Sequence, residues 1–310
     1  MTKVAVVFPG QGSQSVGMMA GWDDHPVVRE TFDEASEALG DDLWGLVTDG
    51  PAEALNLTTN TQPVMLTAGV AAWRAWHAAG GATPLVVAGH SLGEYSALVA
   101  AGALAFRDAV PLVRFRAQAM QEAVPPGVGA MAAILGGDDA AIADACREAA
   151  QGEVVEAVNF NSPGQVVIAG HRAAVERAIE AARARGAKRG MLLPVSAPFH
   201  SSLMKPAAER LAAKLATVAF GQPAIPIVHN VDVLEHRMAD EIRMALAQQA
   251  AGAVRWTATV QAIAGRGITD IVEVGPGRVL AGLTRKIDGN LKAHSLSDGN
   301  GLADALAALA

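Results

Sequence analysis

The chain has 310 residues, 51% of them hydrophobic, enough to bury a large core as one big domain or a big domain with a smaller insert. Its net charge of −7 argues against wholesale nucleic-acid binding, and a single cysteine, Cys146, excludes an internal disulfide and a thiolate metal cluster, as in a protein of the reducing cytoplasm. The amino-terminal apolar run is too short for a signal peptide, and no uninterrupted apolar stretch reaches the ~18 residues of a membrane span, so no membrane contact is expected.

Residues 4–8 form a continuous apolar run, the pattern of a central strand in a parallel sheet. Pro9-Gly10-Gln11-Gly12-Ser13-Gln14 follows. It lacks the spacing of a dinucleotide fingerprint and the Gly-Lys-Ser/Thr of a phosphate loop, but the carboxyl end of a strand is where open α/β sheets bind ligands. Helical periodicity runs over 26–39 and again over 60–79, with Pro63 expected in the first turn, where a missing N–H costs nothing. An apolar strand over 85–88 then meets Gly89-His90-Ser91-Leu92-Gly93-Glu94. This is strand, sharp turn, helix, with Gly-x-Ser-x-Gly at the corner, a pattern that exposes a serine hydroxyl at a helix N-terminus. The competing reading is a plain turn in which Ser91 only caps the helix. Residues 97–106 read as the buried helix behind the turn, and 106–124 as a further helix carrying Arg114 and Arg116 on different faces, one toward solvent and one inward.

The pattern changes at Pro125-Pro126-Gly127. A strand (131–135), helix (138–150), two strands (154–159, 165–169), a helix (172–185) and a strand (188–195) give β-α-β-β-α-β, the ferredoxin-like order. The fold class is therefore α/β: a large parallel-sheet domain (1–126 and 197–310) with a small domain (127–196) inserted. The remainder reads as a strand (226–230), helices (238–250 and 256–264), a strand (270–274) and a turn into a helix (279–287).

A nucleophilic serine needs a base, and the chain has eight histidines. His90 adjoins Ser91, but neighbours on such a turn point apart. His25 and His77 fall on polar helix faces, and His171, His229, His236 and His294 have no informative neighbours. His200, in a turn where the chain re-enters the large domain, follows the serine as in hydrolases, with a surface histidine as the equal alternative. The acids between the two fall in the small domain or at the start of a helix, so a backbone carbonyl is the expected orienter and a plain esterase triad is disfavoured.

Gly10-Gln11-Gly12-Ser13-Gln14, Gly89-His90-Ser91-Leu92-Gly93-Glu94, Val113-Arg114-Phe115-Arg116, Pro198-Phe199-His200 and Glu273-Val274-Gly275-Pro276-Gly277 occur in this order. The set resembles the malonyl-CoA:acyl carrier protein transacylases of fatty-acid synthesis and the related acyltransferase domains of polyketide synthases, over nearly the whole chain. The resemblance implies an α/β-hydrolase-like large domain with a ferredoxin-like insert. It implies that Ser91 becomes malonylated, that His200 is the base, that the Gln249 carbonyl orients His200, and that the backbone N–H groups of Gln11 and Leu92 form the oxyanion hole. Arg116 corresponds to the residue that grips the malonyl carboxylate. Phe199 and Leu92 match a malonyl pattern. One departure is Ala251-Gly252-Ala253, where relatives carry Asn-Pro before Val-x-Trp, which puts the loop after Gln249 in question.

The resemblance further implies malonyl-CoA and acyl carrier protein as partners, no metal and no resident cofactor, with the phosphopantetheine belonging to the carrier. Carrier proteins are acidic, so docking on this acidic chain requires a local basic patch. Lys188, Arg189, Arg285 and Lys286 are the candidates; Arg183 and Arg185 read equally well as a solvated face. A free-standing chain ending soon after the domain favours the fatty-acid enzyme, and a monomer is expected. The alternatives are a trans-acting polyketide acyltransferase, a malonate decarboxylase subunit, a serine thioesterase or hydrolase, and a non-catalytic carrier-binding module.

Overall fold

Every residue of β1 (Val4–Phe8) is buried, because helices cover both faces of the sheet it centres. In this computed structural model residues 3–22 and 25–309 are described; Met1, Thr2, Asp23, Asp24 and Ala310, which the large-domain reading includes, lie outside them. After β1 come α1 (Pro26–Leu39), α2 (Leu43–Thr48), α3 (Ala52–Leu55), α4 (Thr58–Ala78), β2 (Val86–Gly89), α5 (Gly93–Ala100) and α6 (Phe106–Glu122). The middle of the chain forms β3 (Gly129–Leu135), α7 (Asp139–Ala150), β4 (Val155–Ser162), β5 (Gln165–His171), α8 (Arg172–Ala184) and β6 (Arg189–Leu192). It closes with α9 (Lys205–Leu215), β7 (Ile227–Val228), α10 (Ala239–Ala250), α11 (Trp256–Ala264), β8 (Asp270–Val274), α12 (Val279–Ile287), β9 (Lys292–Leu296) and α13 (Gly299–Leu309).

The first sheet is parallel in the order β7-β2-β1-β8-β9. Alternation along β1 sends Val4, Val6 and Phe8 into one apolar cluster with α1, α4 and α5, and Ala5 and Val7 into another with Trp256, Val260 and Leu280. The second sheet is antiparallel in the order β4-β5-β3-β6, the ferredoxin-like arrangement. One of its faces packs Ala132 and Ile134 against α7 and α8. The other packs Met131, Val167 and Ala169 against Ala119, Met120, Phe199 and Met204, which seats the Phe199–His200 turn between the two sheets.

Three local expectations change. Helix α4 begins at Thr58, so Pro63 sits inside it, past the first turn. The turn before it is held from the side: Asn60 Nδ2 donates to Ala54 O at 2.9 Å and Thr61 Oγ1 to Leu55 O at 2.6 Å. Residues 97–106 are not one helix, because α5 stops at Ala100 and the chain turns through Gly102 at φ 71° before α6. Strand β6 covers only Arg189–Leu192 of the expected 188–195. Helices α2, α3, α9 and α13 and strand β9 have no counterpart in the sequence reading.

Candidate active site

Strand β2 delivers the chain to the carboxyl end of the parallel sheet and stops at Gly89. The turn is forced by close packing: a Cβ at Gly89 would lie 1.9 Å from the Gly93 carbonyl carbon, and one at Gly93 would lie 2.1 Å from Phe8 O. Ser91 takes φ 52°, the left-handed region that a serine enters only under constraint. The constraint is Asn230, whose Oδ1 accepts from Ser91 N at 2.7 Å while its Nδ2 donates to Gly89 O at 2.7 Å. Ser91 Oγ does not cap α5, whose N-cap position is Leu92. It turns instead toward His200 and Arg116.

His200 is 5% exposed and also left-handed, at φ 66°. Its Nε2 lies 2.7 Å from Ser91 Oγ, and its Nδ1 lies 2.8 Å from the Gln249 main-chain oxygen. A carbonyl only accepts, so Nδ1 carries the hydrogen and Nε2 is left with a lone pair for the serine proton. Burial, and then the charge of Arg116, pulls the imidazole down to about 3, so it stands neutral at physiological pH. The Ala251-Gly252-Ala253 departure does not displace the orienting carbonyl. A Cβ at Gly252 would lie 2.8 Å from Gln248 O, so glycine is what the end of α10 requires. His90 points away from Ser91, as expected, with Nε2 2.8 Å from Asn161 Oδ1.

Of the two arginines on α6, Arg114 is partly exposed and pairs with Asp41 at 2.7 Å, while Arg116 is 1% exposed. Arg116 Nη2 donates to Ser91 Oγ at 3.1 Å and to Gln249 Oε1 at 2.8 Å, and Nη1 donates to Gln62 Oε1 at 2.8 Å. Its Nε has no partner, and among the described residues no acid lies in ion-pair contact with it. Burial pulls the guanidinium below its ordinary value, opposed by the nearby Tyr95 and Glu94. A buried cation satisfied only by neutral oxygens keeps its charge for an incoming anion.

These groups line a cavity of about 750 Å3 shared by Gln11, Ser91, Leu92, Arg116, Phe199 and His200. Its size suits a small acyl group and the arm that carries it. Gln11 enters from the loop after β1, its side chain fixed by Nε2 donating to Thr58 Oγ1 at 3.2 Å. Among the described residues, neither the Gln11 nor the Leu92 backbone N–H is engaged by a protein acceptor. Two N–H groups with no acceptor among the described residues, on the two loops that flank Ser91, match what a developing oxyanion needs.

The site also contains residues that sequence reasoning missed. Glu94, one residue past the turn, is fully buried: its Oε1 lies 2.7 Å from His229 Nδ1, and its Oε2 accepts from Asn230 N and Gln249 Nε2, both at 3.0 Å. His229, expected to be uninformative, is therefore part of the site's underside. The available signal was an acid at the start of an otherwise apolar helix.

Three of the four basic candidates, Lys188, Arg189 and Lys286, gather at one end of the small sheet. Register places Gln165, Leu135 and Arg189 in one row, with Lys188 preceding Arg189, and Lys286 Nζ donates to Gln165 Oε1 at 3.3 Å. Arg285 donates to Ala293 O at 3.0 Å. Arg183 and Arg185 are engaged with Glu180 and Glu148. Among the described residues no cluster of three or more His, Cys, Asp or Glu could hold a metal, and no helix is long and apolar enough to cross a membrane.

The profile of the acyl transferase domain family matches residues 5–292. The malonyl CoA-acyl carrier protein transacylase of Escherichia coli (strain K12) is 57% identical over 307 residues, 99% of each chain. The crystal structure of an acyl-carrier-protein S-malonyltransferase from Burkholderia pseudomallei 1710b is 62% identical and superposes at a TM-score of 0.97, over 99% of this chain and 100% of that one. A malonyl-transacylase solved in complex with its type II polyketide synthase acyl-carrier protein is 53% identical at a TM-score of 0.98, over 99% of this chain and 100% of that one.

Proposed function

The chain belongs to the malonyl CoA-acyl carrier protein transacylase family, and on that premise we propose that it transfers malonyl from malonyl-CoA to the phosphopantetheine thiol of an acyl carrier protein through a malonyl ester on Ser91. The observation that carries this reading is one hydroxyl between two groups: Ser91 Oγ lies 2.7 Å from a neutral His200 Nε2 and 3.1 Å from a buried guanidinium that has no acid partner among the described residues. A hydrolase of neutral esters has no use for that cation.

In the first half-reaction His200 Nε2 takes the Ser91 proton as Oγ attacks the thioester carbonyl. The N–H groups of Gln11 and Leu92 receive the negative charge on the carbonyl oxygen. The Nδ1–H bond to the Gln249 carbonyl keeps the ring from turning and spreads the imidazolium charge. Burial makes that imidazolium costly, so the proton passes readily to the departing CoA sulfur. The second half-reaction runs the same steps backward with the carrier thiol: His200 takes the thiol proton, the sulfur attacks the malonyl ester, and Ser91 leaves with the proton. Throughout, Arg116 holds the malonyl carboxylate with two N–H groups in one plane.

The carrier approaches along the basic end of the small sheet. Leu135, in the row of Arg189, lies four residues along β3 from Met131 of the cavity wall, about 13 Å at strand spacing. The chain acts as a cytoplasmic monomer, in two domains of 1–126 with 197–310 and of 127–196. Fatty-acid synthesis is the expected pathway. The similarity to the enzyme solved with a polyketide carrier favours a second reading, in which the natural acceptor serves polyketide assembly. Intact mass after brief mixing with malonyl-CoA is expected to show one malonyl adduct that disappears on addition of carrier protein. Ser91→Ala is expected to show no adduct, and a malonyl mass on that variant refutes the assignment.

A further inference from the structure

Glu94 does not reach the cavity, yet both halves of the reacting machinery rest on it. One side-chain amide stands between it and Arg116: Gln249 Nε2 donates to Glu94 Oε2 at 3.0 Å, and Gln249 Oε1 accepts from Arg116 Nη2 at 2.8 Å. An anion on the NH2 end and a cation on the carbonyl end both favour the same amide orientation, so Gln249 cannot flip without facing like against like. The same Gln249 Nε2 also donates to Ser91 O at 2.9 Å. A second arm leaves the same oxygen: Oε2 also accepts from Asn230 N, and Asn230 clamps Ser91 N and Gly89 O. A third contact, to buried His229, fixes the carboxylate itself.

We propose that Glu94 is a positioning residue that sets acyl-group selectivity, holding the Arg116 guanidinium toward the cavity through the Gln249 amide. The inference rests on the malonyl-transfer reading above. A carboxylate touching Arg116 directly would neutralise it and compete with the carboxylate of the substrate. With an amide interposed, the anion steadies the buried cation without occupying its open N–H groups. Glu94 is one of the charges that oppose the effect of burial on Arg116, as this arrangement requires.

The test uses the full chain and four proteins: wild type, Glu94→Gln, Gln249→Leu and the double variant. Glu94→Gln keeps size and an acceptor oxygen while removing the charge. Gln249→Leu removes the relay but keeps the main-chain carbonyl that orients His200. Rates of Ser91 acylation by malonyl-CoA and by acetyl-CoA are measured by intact mass on variants with wild-type circular dichroism. Glu94→Gln is expected to lower the malonyl-to-acetyl rate ratio about tenfold, because hydrogen bonds to an ionised group are roughly twice as strong as neutral ones. Gln249→Leu is expected to lower the ratio at least as far, and the double variant no further than Gln249→Leu alone, since the two act in one chain. A ratio that stays at the wild-type value in Glu94→Gln, or rises because an anion has been taken from beside the guanidinium, overturns the proposal. So does an additive double variant. Wild-type protein that takes up no malonyl on Ser91 sinks the transfer reading instead, and that control is read first.

Discussion

Replacing Arg116 with alanine separates a substrate clamp from a helix brace. The guanidinium is 1% exposed and, among the described residues, bonds to Gln62, Gln249 and Ser91, all neutral. A malonyl carboxylate about 4 Å away, at an effective dielectric of about 20, is attracted by about 4 kcal/mol. Removing one partner from such a desolvated pair costs about 2–5 kcal/mol. At about 1.4 kcal/mol per tenfold, Arg116→Ala is expected to lower kcat/KM for malonyl-CoA by roughly 30- to 3,000-fold. Acetyl-CoA has no free carboxylate and is expected to lose little, or to gain once the desolvated cation is gone. The variant also leaves the Gln62 and Gln249 oxygens without their donor, so circular dichroism and thermal unfolding must first establish that it is folded. The assay is single-turnover acylation of Ser91 by each substrate, followed by mass. Equal proportional losses for malonyl and acetyl would refute the clamp and leave Arg116 as a brace.

Three further outcomes follow from the same geometry. His200 sits at about 3 against an ordinary 6.5, so the unfolded chain binds more protons and stability falls as pH drops from 6.5 toward 3; between pH 7 and 5 the wild type is expected to lose melting temperature faster than His200→Gln, and parallel losses would count against a buried neutral imidazole. Glu273, whose Oε2 accepts from Ala281 N at 2.8 Å at the start of α12, is pushed up by burial to about 7 from 4.5. Here the folded state binds more protons, stability falls as pH rises from 4.5 through 7, and Glu273→Gln is expected to melt above the wild type at pH 8 but not at pH 4.5, checked by scanning calorimetry. Reversing charge at Lys188 and Arg189 is expected to raise KM for carrier protein at low salt and leave acylation by malonyl-CoA unchanged; unaltered carrier kinetics would remove the patch from the account.

Elements whose signals are local were legible in the amino-acid order alone. The apolar run of β1 and the periodicity of α1, α11 and α12 specify buried strands and amphipathic helices to the residue, because side-chain period is a property of neighbours. The β-α-β-β-α-β order of the small sheet is likewise written in chain order, and the Gly89–Gly93 corner is legible because only glycine fits contacts of 1.9 and 2.1 Å. Pro63 misled because proline announces a first turn, whereas α4 starts earlier, held by Asn60 and Thr61 bonding to carbonyls six residues back. Where polar groups end up when distant segments meet was settled by the packing of the folded chain. Ser91 and His200 are 109 residues apart, and Glu94 meets His229, Asn230 and Gln249 across 135 to 155. No local pattern marks Glu94 as an anion bearing on a cation, because that role exists only once Gln249 lies between it and Arg116. Burial supplies the reason these contacts matter: in water each group would be solvated separately, whereas in the closed site each must find its partner in another element.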